Sequence, residues 1–374
     1  MKQYYINPDY YEKEFERLFQ ELNVDSILLV CGKSFFSSIF SDFFNNLYMN
    51  MGIKVTYFFD FSSNPKYEDI IKGLHIFRRD NCDIIVAVGG GSAIDVAKCI
   101  KLFSNMKNDI DYVNQVIIAN NISLIAVPTT AGTGSEATQF AVIYVKGEKY
   151  SIDHESALPK YILLHPASLK TLPEYQKKVT ICDALSHAVE SYWSINSTIE
   201  SRKLAERAIQ IILDNLDGYL DSKDACYINM LWAANYAGQA INITRTTAAH
   251  AMCYKLTTLL NIPHGYAVML CLPEVWEYMQ DHLDMCVDVR GKQYLQETLE
   301  NLAHCLQQDT SAMAIIFLKQ LRTRFGFGIF KELNQQLIAQ LVDSVNIDRL
   351  TNFPIALFKQ DLMNIYYNIL LEER

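Results

Sequence analysis

Asp183 and His187 stand four residues apart in residues 181–194 (ICDALSHAVESYWS), a stretch of helical composition without glycine or proline. On an α-helix that spacing puts both side chains on one face, with Cβ atoms about 5–6 Å apart. A carboxylate and an imidazole so placed can grip a divalent cation. Equally, the carboxylate can do no more than fix the histidine's tautomer within a helix. Two more imidazoles follow, His250 and His264, in TTAAHAMCYKLTTLLNIPHGYAV. The first lies in a helical pattern and the second beside a turn flanked by proline and glycine. They would complete an Asp/His₃ set, which suits Fe²⁺ or Zn²⁺.

A second kind of chemistry is written in glycine. Residues 83–88 (DIIVAV) read as a buried strand that runs into Gly89-Gly90-Gly91-Ser92-Ala93-Ile94-Asp95, followed by a helical pattern. Glycines let a backbone approach a ligand closely, and a helix N-terminus offers free N–H groups to a phosphate. Ser92 with Asp95 three residues on resembles a capping box, so a plain turn with an ordinary cap is the alternative. It is not the GxGxxG fingerprint, because Ile94 holds the third glycine position. Residues 123–127 (SLIAV) end in a second loop of this kind, Pro128-Thr129-Thr130-Ala131-Gly132-Thr133-Gly134-Ser135-Glu136. Ligands of open α/β sheets bind beyond the carboxyl ends of the strands, where both loops would lie.

The elements that must hold these groups alternate in the first half of the chain. Strands are expected at residues 26–30, 54–59, 83–88 and 123–127, with further candidates at 141–145 and 161–164. Helices are expected at 10–22, 34–49 and 67–80, and Lys149 and His154 fall in the connection between the last two candidate strands. Short apolar strands alternating with helices predict a Rossmann-like parallel sheet covered on both faces. Beyond Leu169 the strand pattern gives way to helical spacing, as in residues 201–215, 225–240, 293–307 and 311–324. At 374 residues the chain is too long for one ordinary core, and the shift of pattern near Pro166 predicts an α/β domain (1–166) and an all-helical domain (167–374).

The formal net charge of −9 argues against nucleic acid as a partner, since phosphate binding wants a basic face. Nine cysteines, odd in number and without CxxC spacing, fit reduced thiols rather than a disulfide framework. No apolar run approaches the roughly 20 residues of a membrane helix, and the N-terminus shows no secretory h-region. A cytoplasmic protein is the expectation.

Four stretches in order, GGGSAIDVAK, VPTTAGTGSEAT, DALSHAVESYWS and the segment from His250 to His264, resemble the iron-containing (group III) alcohol dehydrogenases. The resemblance runs in register from about Ile27 to His264 and continues more weakly through RLTNFP (349–354). It implies a dehydroquinate synthase-like architecture, with a nucleotide-binding domain, an all-α domain, a site in the cleft between them, and a homodimer or larger assembly. It also implies Asp183, His187, His250 and His264 as metal ligands. Pyrophosphate contacts would fall on Gly90, Gly91, Ser92 and Asp95. Further nucleotide contacts would fall on Asn64, Thr129, Thr130, Thr133, Thr138 and Lys149. The implied activity is metal-dependent hydride transfer between NADH or NADPH and a small aldehyde or alcohol.

Two departures bear on that resemblance. Where many NAD-preferring members carry an Asp after the first strand, this chain reads Cys31-Gly32-Lys33. A carboxylate there would repel a 2′-phosphate; Gly32 removes that repulsion and Lys33 adds a cation, unless it only faces solvent. Four residues after His250 stands Tyr254, where several members have another histidine: a proton donor or a core aromatic. Tyr254, the run Arg245-Thr246-Thr247 and the KYSIDH stretch (149–154) look most like phosphonoacetaldehyde reductases. Arg245, Lys149 or His154 would then face a phosphonate, with an interhelical salt bridge the plainer fate for Arg245. Competing activities are a short-chain alcohol or 1,3-propanediol dehydrogenase and a dehydroquinate synthase-like cyclase.

Overall fold

The structure, a computed structural model, describes residues 2–107, 111–327, 335–345 and 347–371. The chain packs into two units, Met1–Leu172 with Ser222–Asn235, and Pro173–Asp221 with Tyr236–Arg374.

Among its described residues the first unit holds eight strands: β1 (Tyr4–Ile6), β2 (Ser26–Cys31), β3 (Lys54–Phe58), β4 (Ile84–Gly89), β5 (Ser123–Pro128), β6 (Phe140–Val145), β7 (Glu148–Asp153) and β8 (Tyr161–Leu163). Six of them form a parallel sheet in the order β1-β8-β5-β4-β2-β3. Every residue of β2, β4 and β5 is buried, because helices cover both faces. Alternate side chains go to opposite layers. Leu28, Val30, Ile85 and Ala87 meet Ile70, Leu74 and Ile94 from the helices Tyr67–Arg79 and Gly91–Phe103. Ile27, Leu29, Val86 and Val88 meet Phe15, Phe19, Phe43 and Phe44 from the helices Tyr11–Glu21 and Ser41–Met51. The chain runs outward from β2 to β3, then returns to the other side of β2 as β4, so the sheet's switch point lies between β2 and β4. Gly32 follows one of these strands and Gly90 the other, both at the carboxyl edge where ligands of such sheets bind.

Three local expectations need correction. The helix expected over 34–49 starts only at Ser41, after a 3₁₀ turn at Lys33–Ser37. Phe35 and Phe40 are both buried, a five-residue spacing that one stripe of an α-helix does not provide. The 141–145 segment is not part of the parallel sheet; β6 pairs antiparallel with β7 as a separate hairpin. Its turn is Lys146-Gly147, both at positive φ, as a two-residue type I′ connection demands. Lys149 therefore lies on a strand, opposite Tyr144. Finally, Ser92 and Asp95 form no capping box. The helix Gly91–Phe103 has Gly90 at its N-cap, and Asp95 turns away to other partners.

In the second unit, among the described residues, extended pairing is limited to an isolated bridge between Cys286 and Ile355. Its central element is the helix Glu174–Trp193, in which every residue from Val179 onward is buried. A helix covered all round must be an interior one, and packed against it are the helices Ile199–Leu220 and His264–Asp281. No described helix is long and apolar enough to cross a membrane.

Candidate functional site

In the second unit, three helices bring the four residues of the Asp/His₃ set together. Asp183 and His187 stand one turn apart on Glu174–Trp193, His250 lies on Ala248–Leu260, and His264 opens His264–Asp281. The Oδ1 atom of Asp183 lies 3.8 Å from His187 Nε2, 3.6 Å from His250 Nε2 and 3.8 Å from His264 Nε2. Ligands about 2.1 Å from a cation and at a tetrahedral angle would stand about 3.4 Å apart, so the distances from Asp183 are near those of a coordination shell. Asp183, His187 and His250 offer ligand atoms that all lie within 4.8 Å of one another, a group that His264 extends through Asp183 alone. Asp183 Oδ1 and His250 Nε2 are buried and make no hydrogen bond in the protein, a costly state that a cation would relieve. The donors fit a divalent metal. Burial pushes the Asp183 carboxyl up, but His187, His250 and His264 outweigh it and hold the group well below the usual carboxylate range. Of the four, His264 is the accessible one, at 37% side-chain exposure against 6% for Asp183.

The close approach of these helices depends on Gly265. A Cβ there would sit 2.1 Å from the Val179 carbonyl oxygen and 3.1 Å from Asp183 Cβ, so only glycine lets the helix bearing His264 meet the one bearing Asp183. Tyr254 is half-buried and its ring lies parallel to that of His264, with centroids 5.6 Å apart. Arg349 donates to the Tyr254 hydroxyl, and its guanidinium carbon is 4.9 Å from the ring centroid. Arg245 is exposed and left-handed, just beyond the end of the helix Asp224–Thr244.

In the first unit the two glycine loops interlock. A Cβ on Gly91 would come within 2.9 Å of Thr133 Cγ2, and one on Gly90 within 3.3 Å of Thr130, so the glycines allow the second loop to lie on the first. The Thr129 amide donates to the Gly89 carbonyl at 3.0 Å. Ser92 donates to the Ser63 carbonyl, which ties the exposed Asn64 turn to the helix start, and Tyr144 N reaches Pro65 O at 2.8 Å. Asp95 accepts from Ser135 Oγ at 2.6 Å and from Val142 N at 3.0 Å. Thr138 is buried, and its hydroxyl accepts from Lys98 Nζ at 3.1 Å. Lys98 itself is fully buried and also donates to Ser135 Oγ and the Phe140 carbonyl. Burial lowers its pKa to about 8, with Asp95 and Glu136 opposing. His154 Nδ1 accepts from Ser156 N and so caps its own 3₁₀ turn.

Two family models span nearly the whole chain. Residues 3–166 match the iron-containing alcohol dehydrogenases, and residues 178–366 match the C-terminal part of the Fe-containing alcohol dehydrogenase family. The chain belongs to the iron-containing alcohol dehydrogenase family. The phosphonoacetaldehyde reductase of Streptomyces viridochromogenes is 30% identical over 301 residues, covering 76% of this chain and 75% of that one. The probable alcohol dehydrogenase EutG of Escherichia coli is 35% identical over 221 residues, 57% of this chain and 56% of that one. The chain thus matches little more than half the length of that curated relative. Among solved structures, an iron-containing alcohol dehydrogenase of Thermotoga maritima superposes with a TM-score of 0.85 at 27% identity, over 99% of this chain and 98% of that one.

Beside the residues that the family resemblance names, the structure brings forward three others. Glu190 lies three residues beyond His187 and accepts from His250 Nδ1. Its signal was present in the sequence, because positions 183, 187 and 190 share one helical face. Gly265 carried a weaker signal, a lone glycine at a helix start. Lys98 carried none, since a lysine inside a helical pattern ordinarily faces solvent.

Proposed function

We propose that the protein is a metal-dependent, NAD(P)H-linked alcohol dehydrogenase that acts as an aldehyde reductase, with small aldehydes bearing a phosphonate as its substrate class. The observation that carries this reading is the ring of three imidazole nitrogens around Asp183 Oδ1 on a chain of the iron-containing alcohol dehydrogenase family. Asp183, His187, His250 and His264 would hold Fe²⁺ or Zn²⁺, a donor set that suits either ion. Residues 167–374 serve as the metal-binding domain and residues 1–166 as the nucleotide-binding domain. When bound, the cation supplies Lewis acidity toward a carbonyl oxygen and the nicotinamide supplies the hydride.

The protein's own part is to hold and to exclude. The start of the helix Gly91–Phe103 would present backbone N–H groups to the pyrophosphate, while Gly90 and Gly91 let Thr130 and Thr133 pack against that start. Asp95 and Thr138 act one step back, by holding Ser135 and Lys98 so that Thr130 and Thr133 keep their places. Gly32 puts no carboxylate against a 2′-phosphate, and the exposed Lys33 beside it favours NADPH.

The phosphonate reading draws support from the reductase that is 30% identical over 76% of this chain. Arg349 is the residue we assign to the anionic end. It is a guanidinium set on Tyr254, whose ring lies parallel to that of the ligand His264, and guanidinium binds such oxyanions bidentately. His154 is a weaker candidate because its Nδ1 is already engaged in its own turn.

The test is reconstitution of apo-protein with Fe²⁺ or Zn²⁺, followed by nicotinamide oxidation with phosphonoacetaldehyde beside unsubstituted short aldehydes. We expect metal-dependent turnover that prefers the phosphonate, and an Arg349→Ala variant that loses about tenfold or more of that preference while still reducing plain aldehydes. Turnover of plain aldehydes alone in the parent protein would discard the phosphonate. No net nicotinamide turnover despite bound metal and nucleotide would move the assignment to cyclase chemistry.

A further inference from the structure

Glu190 is fully buried on the helix Glu174–Trp193, yet its carboxylate serves a different helix. The helix Ala248–Leu260 has no side-chain cap from Thr247, its own N-cap residue, so its first N–H groups need another acceptor. Oε1 of Glu190 supplies it, accepting from Thr247 N at 3.2 Å, Ala249 N at 2.9 Å and His250 N at 3.4 Å, and from Thr247 Oγ1 at 2.6 Å. Trp193 Nε1 in turn donates to Thr247 Oγ1 at 2.9 Å, which fixes that hydroxyl as a donor to Glu190. A carboxylate at a helix N-terminus also gains from the helix dipole. The second oxygen, Oε2, hydrogen-bonds the Nδ1 side of the His250 ring.

We propose that Glu190 is a positioning residue of the metal centre: it caps the helix that carries His250 and accepts that ring's Nδ1–H, so that Nε2 faces Asp183 as a lone pair. One side chain thereby sets the height, the rotation and the tautomer of this ligand. His264 Nδ1, by comparison, lies 3.5 Å from Cys253 Sγ. The inference rests on the metal reading of the four side chains.

Glu190→Gln separates the two tasks. The amide oxygen can still accept from the helix N–H groups, while its NH₂ would face Nδ1 and drive the ring proton to Nε2, where it blocks a cation. In chelator competition with Fe²⁺ or Zn²⁺ alone, we expect affinity to fall by about 10- to 100-fold with the thermal transition and nucleotide binding largely kept. In a His250→Ala background the same change should cost nothing further. Unchanged affinity in Glu190→Gln, or an equal loss with and without His250, overturns the proposal. Failure of the parent protein to bind any metal overturns the metal reading as well and is thus told apart. If Glu190→Gln does not fold, ¹⁵N NMR of the parent apo-protein decides: an Nδ1–H tautomer at His250 supports the assignment and an Nε2–H tautomer refutes it.

Discussion

The two units treat buried polar groups in opposite ways. Around the glycine loops of the first unit, Asp95, Lys98, Ser135 and Thr138 spend their donors and acceptors on one another or on backbone. In the second unit, Asp183 Oδ1 and His250 Nε2 are aimed at one another's surroundings without forming hydrogen bonds. A saturated network makes a rigid frame whose free valence lies in backbone N–H groups, fit for a phosphate. Two buried atoms left without a hydrogen bond are costly, and a cation between them would relieve that cost. Motifs alone do not distinguish these cases, because Asp95 and Asp183 both begin helical i,i+3 or i,i+4 patterns.

The contrast can be broken most severely at Asp183. Asp183→Asn removes the anion shared by three imidazoles, and we expect metal affinity to drop by more than about 100-fold, read by metal content after dialysis. Nucleotide binding, followed by nicotinamide fluorescence, should stay within about twofold, since nothing in the first unit's network is touched. Loss of both would sink the separation of roles. The glycines provide a mirrored pair of smaller effects. Gly91→Ala thrusts a methyl at Thr133 and should weaken nucleotide binding with metal content unchanged, whereas Gly265→Ala collides with the Val179 carbonyl and should do the reverse. Overpacking of this kind costs about 1–3 kcal/mol, so each loss should be roughly 5- to 150-fold. Equal effects of the two variants on both ligands would mean that the glycines report only general stability.

The last contrast concerns pH. Lys98 has an ordinary pKa of 10.5 when unfolded and about 8 when buried, so between these values the unfolded chain binds more protons. Stability should therefore rise with pH across the window from 8 to 10.5, where the folded state no longer carries that buried charge. Lys98→Met should lose this rise, measured by denaturant unfolding at each pH, while the metal centre's affinity is unchanged. The same slope in both proteins would assign it to other groups.

Much of this was legible from residues alone. Continuous apolar runs at β2, β4 and β5 gave a parallel sheet buried on both faces, because no half-exposed strand could carry six apolar or small residues in a row. Spacing put Asp183 and His187 on one face, since helical periodicity is local. The β6–β7 hairpin was less legible, because β7 (EKYSID) buries only Ile152 and reads as a loop until its partner is seen.

By itself, then, the sequence determined the local periodicities and the chemical inventory: which faces are apolar, where glycine permits close approach, and which side chains can ligate. Only the tertiary structure decided which of these groups meet. His250 and His264 join Asp183 through helix packing that Gly265 permits, and Asp95 is drawn from its own helix start into a bond with Ser135, forty residues away. The fate of Glu190 was decided in the same way, by the uncapped helix that happens to end against it. Such pairings depend on distances between elements remote in sequence, and those distances are fixed by the packing of the whole core rather than by any local pattern.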